Sequence, residues 1–172
     1  MSAFATEVGE GFAGSGPNAA HLNTVLGAKG GPVETAWATS LATPSHGYAR
    51  FVVVLQPNLP VKPLTLFVPK AEVSEESHAH LTWGAAQAGV AGGVIDAVRS
   101  GIVAADAVDD LLLIAAVWVD PAASNPQAVY ANNRAATLAA LRAGKERGPA
   151  LESIFAAGDP ANPFFEATPA KR

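Results

Sequence analysis

The chain has 172 residues, enough for one domain with a sizeable core. It is 49% apolar and only 15% charged, and its 11 Lys and Arg residues are scattered rather than grouped into a patch, which argues against nucleic-acid binding. With a net charge of −4 and no cysteine, it excludes disulfides, thiolate catalysis and cysteine metal sites.

Phe4 to Ala13 and Ala20 to Leu26 read as two strands joined by the turn Gly14-Ser15-Gly16-Pro17-Asn18. The second strand carries the first chemical signal. Residues two apart in a strand share a face, so His21 and Asn23 project together while Leu22 points the other way. A histidine beside a hydrogen-bonding side chain, ahead of the glycine-rich Gly27-Ala28-Lys29-Gly30-Gly31 turn, has the form of a proton donor at a pocket edge. The bland alternative is a surface or satisfied core histidine. Gly31-Pro32 opens a helix to about Ala42, with Pro32 suited to a first helical position. Ala49 to Gln56 is expected as a buried strand, and Pro57 to Pro63, with three prolines in seven residues, as a stiff loop.

Leu64 to Val73 reads as a further strand, interrupted at Pro69. Ser74 is the expected cap of a helix that breaks near Gly84 and runs to about Ser100. Gly89 and Gly93 share one face of it, where another element can come close. Ala104 to Asp110 reads as a short helical turn, Leu111 to Val119 as a buried strand and Pro126 to Ala143 as a helix. Leu111 to Val119 is also the longest apolar run and is too short to span a bilayer. Met1 to Gly16 lacks the basic start and apolar segment of a signal peptide, so a cytoplasmic protein without membrane contact is expected. The whole chain, 1–172, is expected to form a single domain of mixed α/β class, an α+β two-layer sandwich, with 148–172 an irregular tail.

The remaining candidates have ordinary readings. His78 and His80 diverge by about 200° on a helix, poor geometry for one metal, and read as solvated. His46 lies in a turn and reads as structural, and Asp106, Asp109 and Asp110 read as helix-end charges. No metal-ligand motif, Walker loop or nucleophile elbow is present, and no metal is expected. Lys62, held between prolines, and Lys70, at a strand end, suit contact with an anion or a pterin, or are simply solvated. Gln87, among small residues, can reach a ligand or cap a neighbouring backbone group.

Several pieces in fixed register carry a resemblance. They include Val8-Gly9-Glu10, Ala20-His21, Pro32-Val33-Glu34-Thr35-Ala36, His46-Gly47 and Pro57-Asn58-Leu59-Pro60-Val61-Lys62-Pro63. Gly84-Ala85-Ala86-Gln87-Ala88-Gly89-Val90-Ala91, Asp96-Ala97-Val98 and Asp109-Asp110-Leu111 continue the series. Together they resemble the formaldehyde-activating enzyme family, the 5,6,7,8-tetrahydromethanopterin hydro-lyases. That resemblance implies a fold like the second domain of ribosomal protein S5 and a homopentamer with sites between subunits. It implies condensation of formaldehyde with tetrahydromethanopterin as co-substrate, with His21 as proton donor. The matching pterin-contact positions are Asn23, Val52, Lys70, Glu72 and Gln87. Lys70 and Gln87 agree with the family; Val52 replaces leucine, Asn23 replaces aspartate and Glu72 replaces threonine. A neutral amide accepts weaker hydrogen bonds than a carboxylate. Glu72, two residues beyond Lys70, either restores the lost carboxylate or pairs with Lys70 and withdraws it. The alternative function is a non-catalytic paralogue that binds a reduced pterin, a folate or a formaldehyde adduct for sensing or delivery.

Overall fold

Alternation along one hairpin sets the two faces of the molecule. The structure, a computed structural model, describes residues 4–162 and 165–166. Strands β1 (Glu7–Ala13) and β2 (Ala20–Ala28) pair antiparallel, with Gly14 and Gly16 in the connection at positive φ, where a side chain would be strained. In β2, Ala20, Leu22, Thr24 and Leu26 are buried, while His21, Asn23 and Val25 are half-buried. One face of the hairpin therefore belongs to the core and the other stays open.

β2 pairs antiparallel with β7 (Leu111–Trp118), which pairs parallel with β6 (Leu64–Pro69); β6 pairs antiparallel with the short β3 (Phe51–Val52). The sheet order is β1-β2-β7-β6-β3. Helices α3 (Gln87–Arg99) and α4 (Pro126–Glu146) lie together on one side, α4 against β1 and β2. This is a two-layer α+β arrangement, as the pattern of strands and helices predicts.

Close approach between the layers depends on missing side chains. A Cβ at Gly9 would stand 1.8 Å from the Ala140 carbonyl oxygen, and one at Gly11 2.1 Å from that of Ala136. Gly89 and Gly93 do meet another element as expected: α4 crosses them, with the Tyr130 carbonyl oxygen 2.5 Å from a Cβ built at Gly89. Asn125 caps α4 by accepting from the N–H groups of Gln127 and Ala128. The Asn18 side chain accepts from Ser124 and Asn125 N–H, tying the β1–β2 connection to that cap.

Helix α1 (Pro32–Ala42) lies on the opposite side of the sheet, but only at one end. Val33 packs where a Cβ on Gly27 would stand, beside the buried Leu112, and it leaves the His21 end uncovered.

Several elements differ from expectation. The first strand begins at Glu7 rather than Phe4. The expected strand 49–56 is split into β3 and β4 (Val54–Gln56), because Val54 N–H turns away to bond the Gln87 side chain at 2.8 Å. β4 forms a tight hairpin with β5 (Leu59–Pro60), so the proline-rich segment is part strand, with its proline on an edge where no ladder donor is needed. β6 ends at Pro69. The next helix starts as α2 (Glu76–His80), with Glu75 rather than Ser74 at its cap and no side-chain cap bond. Gly84 does not break it; Leu81–Ala86 widens into a π-helical turn that leads into α3. Residues 104–110 form two successive turns, not a helix. His78 is buried, not solvated: its Nε2 lies 2.9 Å from the Val119 carbonyl oxygen, which supplies the polar partner that burial requires. Within 148–172, residues Leu151–Ala156 form a short helix, α5, with Leu151, Ile154 and Phe155 exposed. The short pairing of Ala161–Asn162 (β8) with Phe165–Glu166 (β9) follows it. No helix among the described residues is long and apolar enough to cross a membrane.

Candidate active site

The uncovered end of the open face gathers four polar side chains from three strands. In the β1–β2 ladder Glu10 stands opposite Asn23 and Phe12 opposite His21. In the β2–β7 ladder Trp118 stands opposite His21. Lys70 follows the last residue of β6, and its backbone N–H bonds the Val117 carbonyl at 2.8 Å, which extends the sheet by one residue. Pairing alone therefore brings Glu10, His21, Asn23 and Lys70 onto one patch.

The contacts are direct. Lys70 Nζ donates to Asn23 Oδ1 at 2.8 Å and lies 3.4 Å from His21 Nδ1. The other ring nitrogen, Nε2, lies 3.0 Å from Glu10 Oε1. The His21 ring centroid lies 6.5 Å from that of Phe12. Burial pushes the Lys70 ammonium below the usual lysine range, and the Glu10 charge opposes that shift in part. The result is a half-buried amine, an imidazole and a carboxylate in one hydrogen-bonded line, open to solvent on one side.

The other expected positions lie elsewhere. Val52 pairs with Leu66, four residues before Lys70, hence roughly 13 Å away along the strand. Val52 and Gln87 line a groove of ≈ 320 Å³ together with Ala49, Phe51, Val54 and Trp83. The π-helical turn presents Trp83 on this groove and the first residue of α3 presents Gln87, whose side-chain oxygen accepts from Val54 N–H. Glu72 is exposed, and its Cγ presses on Gly47, where an added Cβ would stand 2.5 Å from it. No hydrogen bond or ion pair to Glu72 occurs among the described residues, whereas Glu10 supplies the carboxylate beside His21. Lys62 pairs with Asp109 at 2.5 Å, far from His21, and Lys29 also bonds the Asp109 carbonyl. Among the described residues no three His, Asp or Glu side chains converge as a metal site.

Glu10 is the residue that sequence reasoning missed as a member of the site. Its signal was present in the hairpin: with turn 14–18 closing two strands, Glu10 falls on the His21 face. That signal could be used only once the register was known.

The bare sheet face of this two-layer α+β fold thus aligns a carboxylate, an imidazole and an amine, three groups able to exchange protons. The family is shown by similarity. The chain belongs to the formaldehyde-activating enzyme family, whose model matches residues 8–165. It is 40% identical over 158 residues to the 5,6,7,8-tetrahydromethanopterin hydro-lyase of Methanosarcina barkeri, spanning 92% of this chain and 89% of that protein. It is 39% identical over 153 residues to the bifunctional enzyme Fae/Hps of Methanosphaera stadtmanae, spanning 89% of this chain but 38% of that protein. The bifunctional Fae/Hps of Archaeoglobus fulgidus is 35% identical over 148 residues, again with 38% of its length covered.

Proposed function

We propose that this chain is a hydro-lyase that condenses formaldehyde with tetrahydromethanopterin to methylene-tetrahydromethanopterin and water, a step of one-carbon metabolism that also removes formaldehyde. The observation that carries this reading is the Glu10–His21–Lys70–Asn23 line, in a chain 40% identical to a protein named for that reaction.

The chemistry needs a proton delivered and then taken back. A pterin nitrogen adds to formaldehyde and gives a hydroxymethyl amine. His21 protonates the hydroxyl, the C–O bond breaks, water leaves and an iminium remains. The second pterin nitrogen closes on that carbon and its proton returns to the imidazole. General acid catalysis of this kind contributes typically ~10²–10⁴-fold. Lys70 and Asn23 anchor the polar edge of the pterin beside His21. Val52 and Gln87 supply a second contact region. A binding protein has no need of an acid and an amine on the two nitrogens of one imidazole, so the non-catalytic alternative is not preferred.

The two contact regions stand apart on one chain, and the open sheet face is partly apolar and uncovered along the β1 edge: Val8 is 63% exposed and Phe12 49%. A homopentamer with sites between subunits, as the family resemblance implies, would cover that face and join one chain's His21 region to the groove of the next. A cytoplasmic setting accompanies a reaction of two water-soluble substrates.

The test is the initial rate of methylene-tetrahydromethanopterin formation above the spontaneous background, for the wild type and for His21→Ala. Light scattering on the same preparations gives the assembly state. A wild-type rate well above background that collapses in the variant supports the reading. A wild type no faster than background overturns it.

A further inference from the structure

A histidine can pass a proton through either ring nitrogen, and what holds one nitrogen decides which is used. The groups that face His21 come from every neighbouring element. Glu10 on β1 places Oε1 3.0 Å from Nε2. Lys70, at the end of β6, places Nζ 3.4 Å from Nδ1. Asn23, on the same strand as His21, holds Lys70 at 2.8 Å. β7 contributes the uncharged Trp118, and β1 also contributes the Phe12 ring.

An ionised carboxylate only accepts, so the Glu10 contact requires hydrogen on Nε2. The neutral ring then carries its lone pair on Nδ1. An ammonium only donates, and it is the ammonium of Lys70 that faces Nδ1. Both contacts favour the same tautomer, and Glu10 at 3.0 Å is the stronger holder, because Lys70 lies 3.4 Å away and already donates to Asn23 at 2.8 Å.

The geometry points to Glu10 as a positioning residue that makes Nδ1 the nitrogen through which His21 exchanges protons. This rests on the hydro-lyase reading for its reaction, but its geometry belongs to the free protein. In the forward step the imidazolium gives its Nδ1 proton to the hydroxyl of the hydroxymethyl amine. The C–O bond breaks, its electron pair departs with the oxygen as water, and His21 is left as the Nε2–H tautomer already bonded to Glu10. When the second pterin nitrogen adds to the iminium carbon, its proton returns to Nδ1. Neither step requires the ring to flip or change tautomer, and Glu10 exchanges no proton. Its charge stabilises the imidazolium and its position fixes the ring, the part a carboxylate plays beside a catalytic histidine in other proton-transfer sites.

Glu10 is exposed on an edge strand, so replacing it leaves the core untouched. The experiment is 15N NMR of histidine-labelled full-length protein at a pH where the ring is neutral, beside steady-state kinetics. The wild type is expected as the Nε2–H tautomer. Glu10→Ala shifts His21 toward the Nδ1–H form and lowers kcat about 10- to 100-fold with KM nearly unchanged. Glu10→Gln keeps an acceptor and hence the tautomer, loses the charge, and gives an intermediate kcat. An unchanged His21 tautomer in Glu10→Ala overturns the proposal, as does a wild-type kcat in that variant. A wild type without hydro-lyase activity overturns the functional reading instead, while the tautomer series still decides what Glu10 does.

Discussion

The two faces of the sheet are built from the same strands and solve opposite problems. On the helix side, β1 contributes glycine at residues 9 and 11, and α4 lies so close that its carbonyl oxygens occupy the space a side chain would need. On the other side, the residues between and beyond those glycines, Val8, Glu10 and Phe12, are exposed or, for Glu10, engaged with His21. Stability resides in the first face, and the proposed chemistry lies on the second. The separation is possible because strand side chains alternate, so selection on one set leaves the other free to change.

The largest effect is expected where the layers touch. Gly11→Val places a branched side chain against the Ala136 carbonyl and should cost about 3 kcal/mol or more, read as a lowered urea midpoint with the His21 patch itself untouched. A fully stable variant would show that the layers can separate, and the contrast between the faces would fail. On the open face the reverse pattern should hold. His21→Ala is expected to lose ~10²–10⁴ in kcat, while the stability read from urea unfolding changes by no more than about 1 kcal/mol because the half-buried side chain lies outside the core. A large loss of stability there would move His21 from the chemical face to the structural one.

Gln87 sharpens the contrast because it belongs to both. Its amide oxygen holds Val54 N–H across the groove, so Gln87→Ala should destabilise by about 1–2 kcal/mol and raise KM more than it lowers kcat. A change in kcat alone would make Gln87 a participant in the proton transfer.

The smallest effect concerns Lys70. Burial lowers its folded pKa below the ordinary lysine value of 10.5. The unfolded chain therefore holds this proton to higher pH than the folded one. Stability should rise with pH through the window between the lowered pKa and 10.5, and below that window the buried charge is a cost. Lys70→Met should abolish that alkaline slope in urea titrations. Asn23→Asp, which places a carboxylate beside the ammonium, should move the window to higher pH, and an unmoved window would show that Asn23 does not govern the charge of Lys70.

Much of this molecule was legible before folding. The alternation in Ala20 to Leu26 marked the buried and open sides of β2, and the Gly89 and Gly93 pair marked a close crossing. The run Leu111 to Val119 marked the central strand. The positions that failed are those where a tertiary partner overrules local preference. Val54 left a continuous strand because Gln87, 33 residues later, offered its N–H a partner. His78 entered the core because Val119 offered a carbonyl. Ser74 lost the cap position to Glu75, and nothing in the structure explains that choice.

The site divides along the same line. Local spacing placed His21 and Asn23 on one face, because their relation is a property of two adjacent peptide units. Local setting singled out Lys70 and Gln87, and family resemblance added Val52 and Glu72, but spacing along the chain could not say which of them meet. The sheet order decided that. It set Lys70 beside His21 from 49 residues away, left Val52 and Gln87 in a separate groove, and brought in Glu10 from the neighbouring strand. Periodicity encodes which way a side chain points, since that depends only on backbone dihedrals. Which side chains touch depends on strand register and order, and these follow from how the whole core packs.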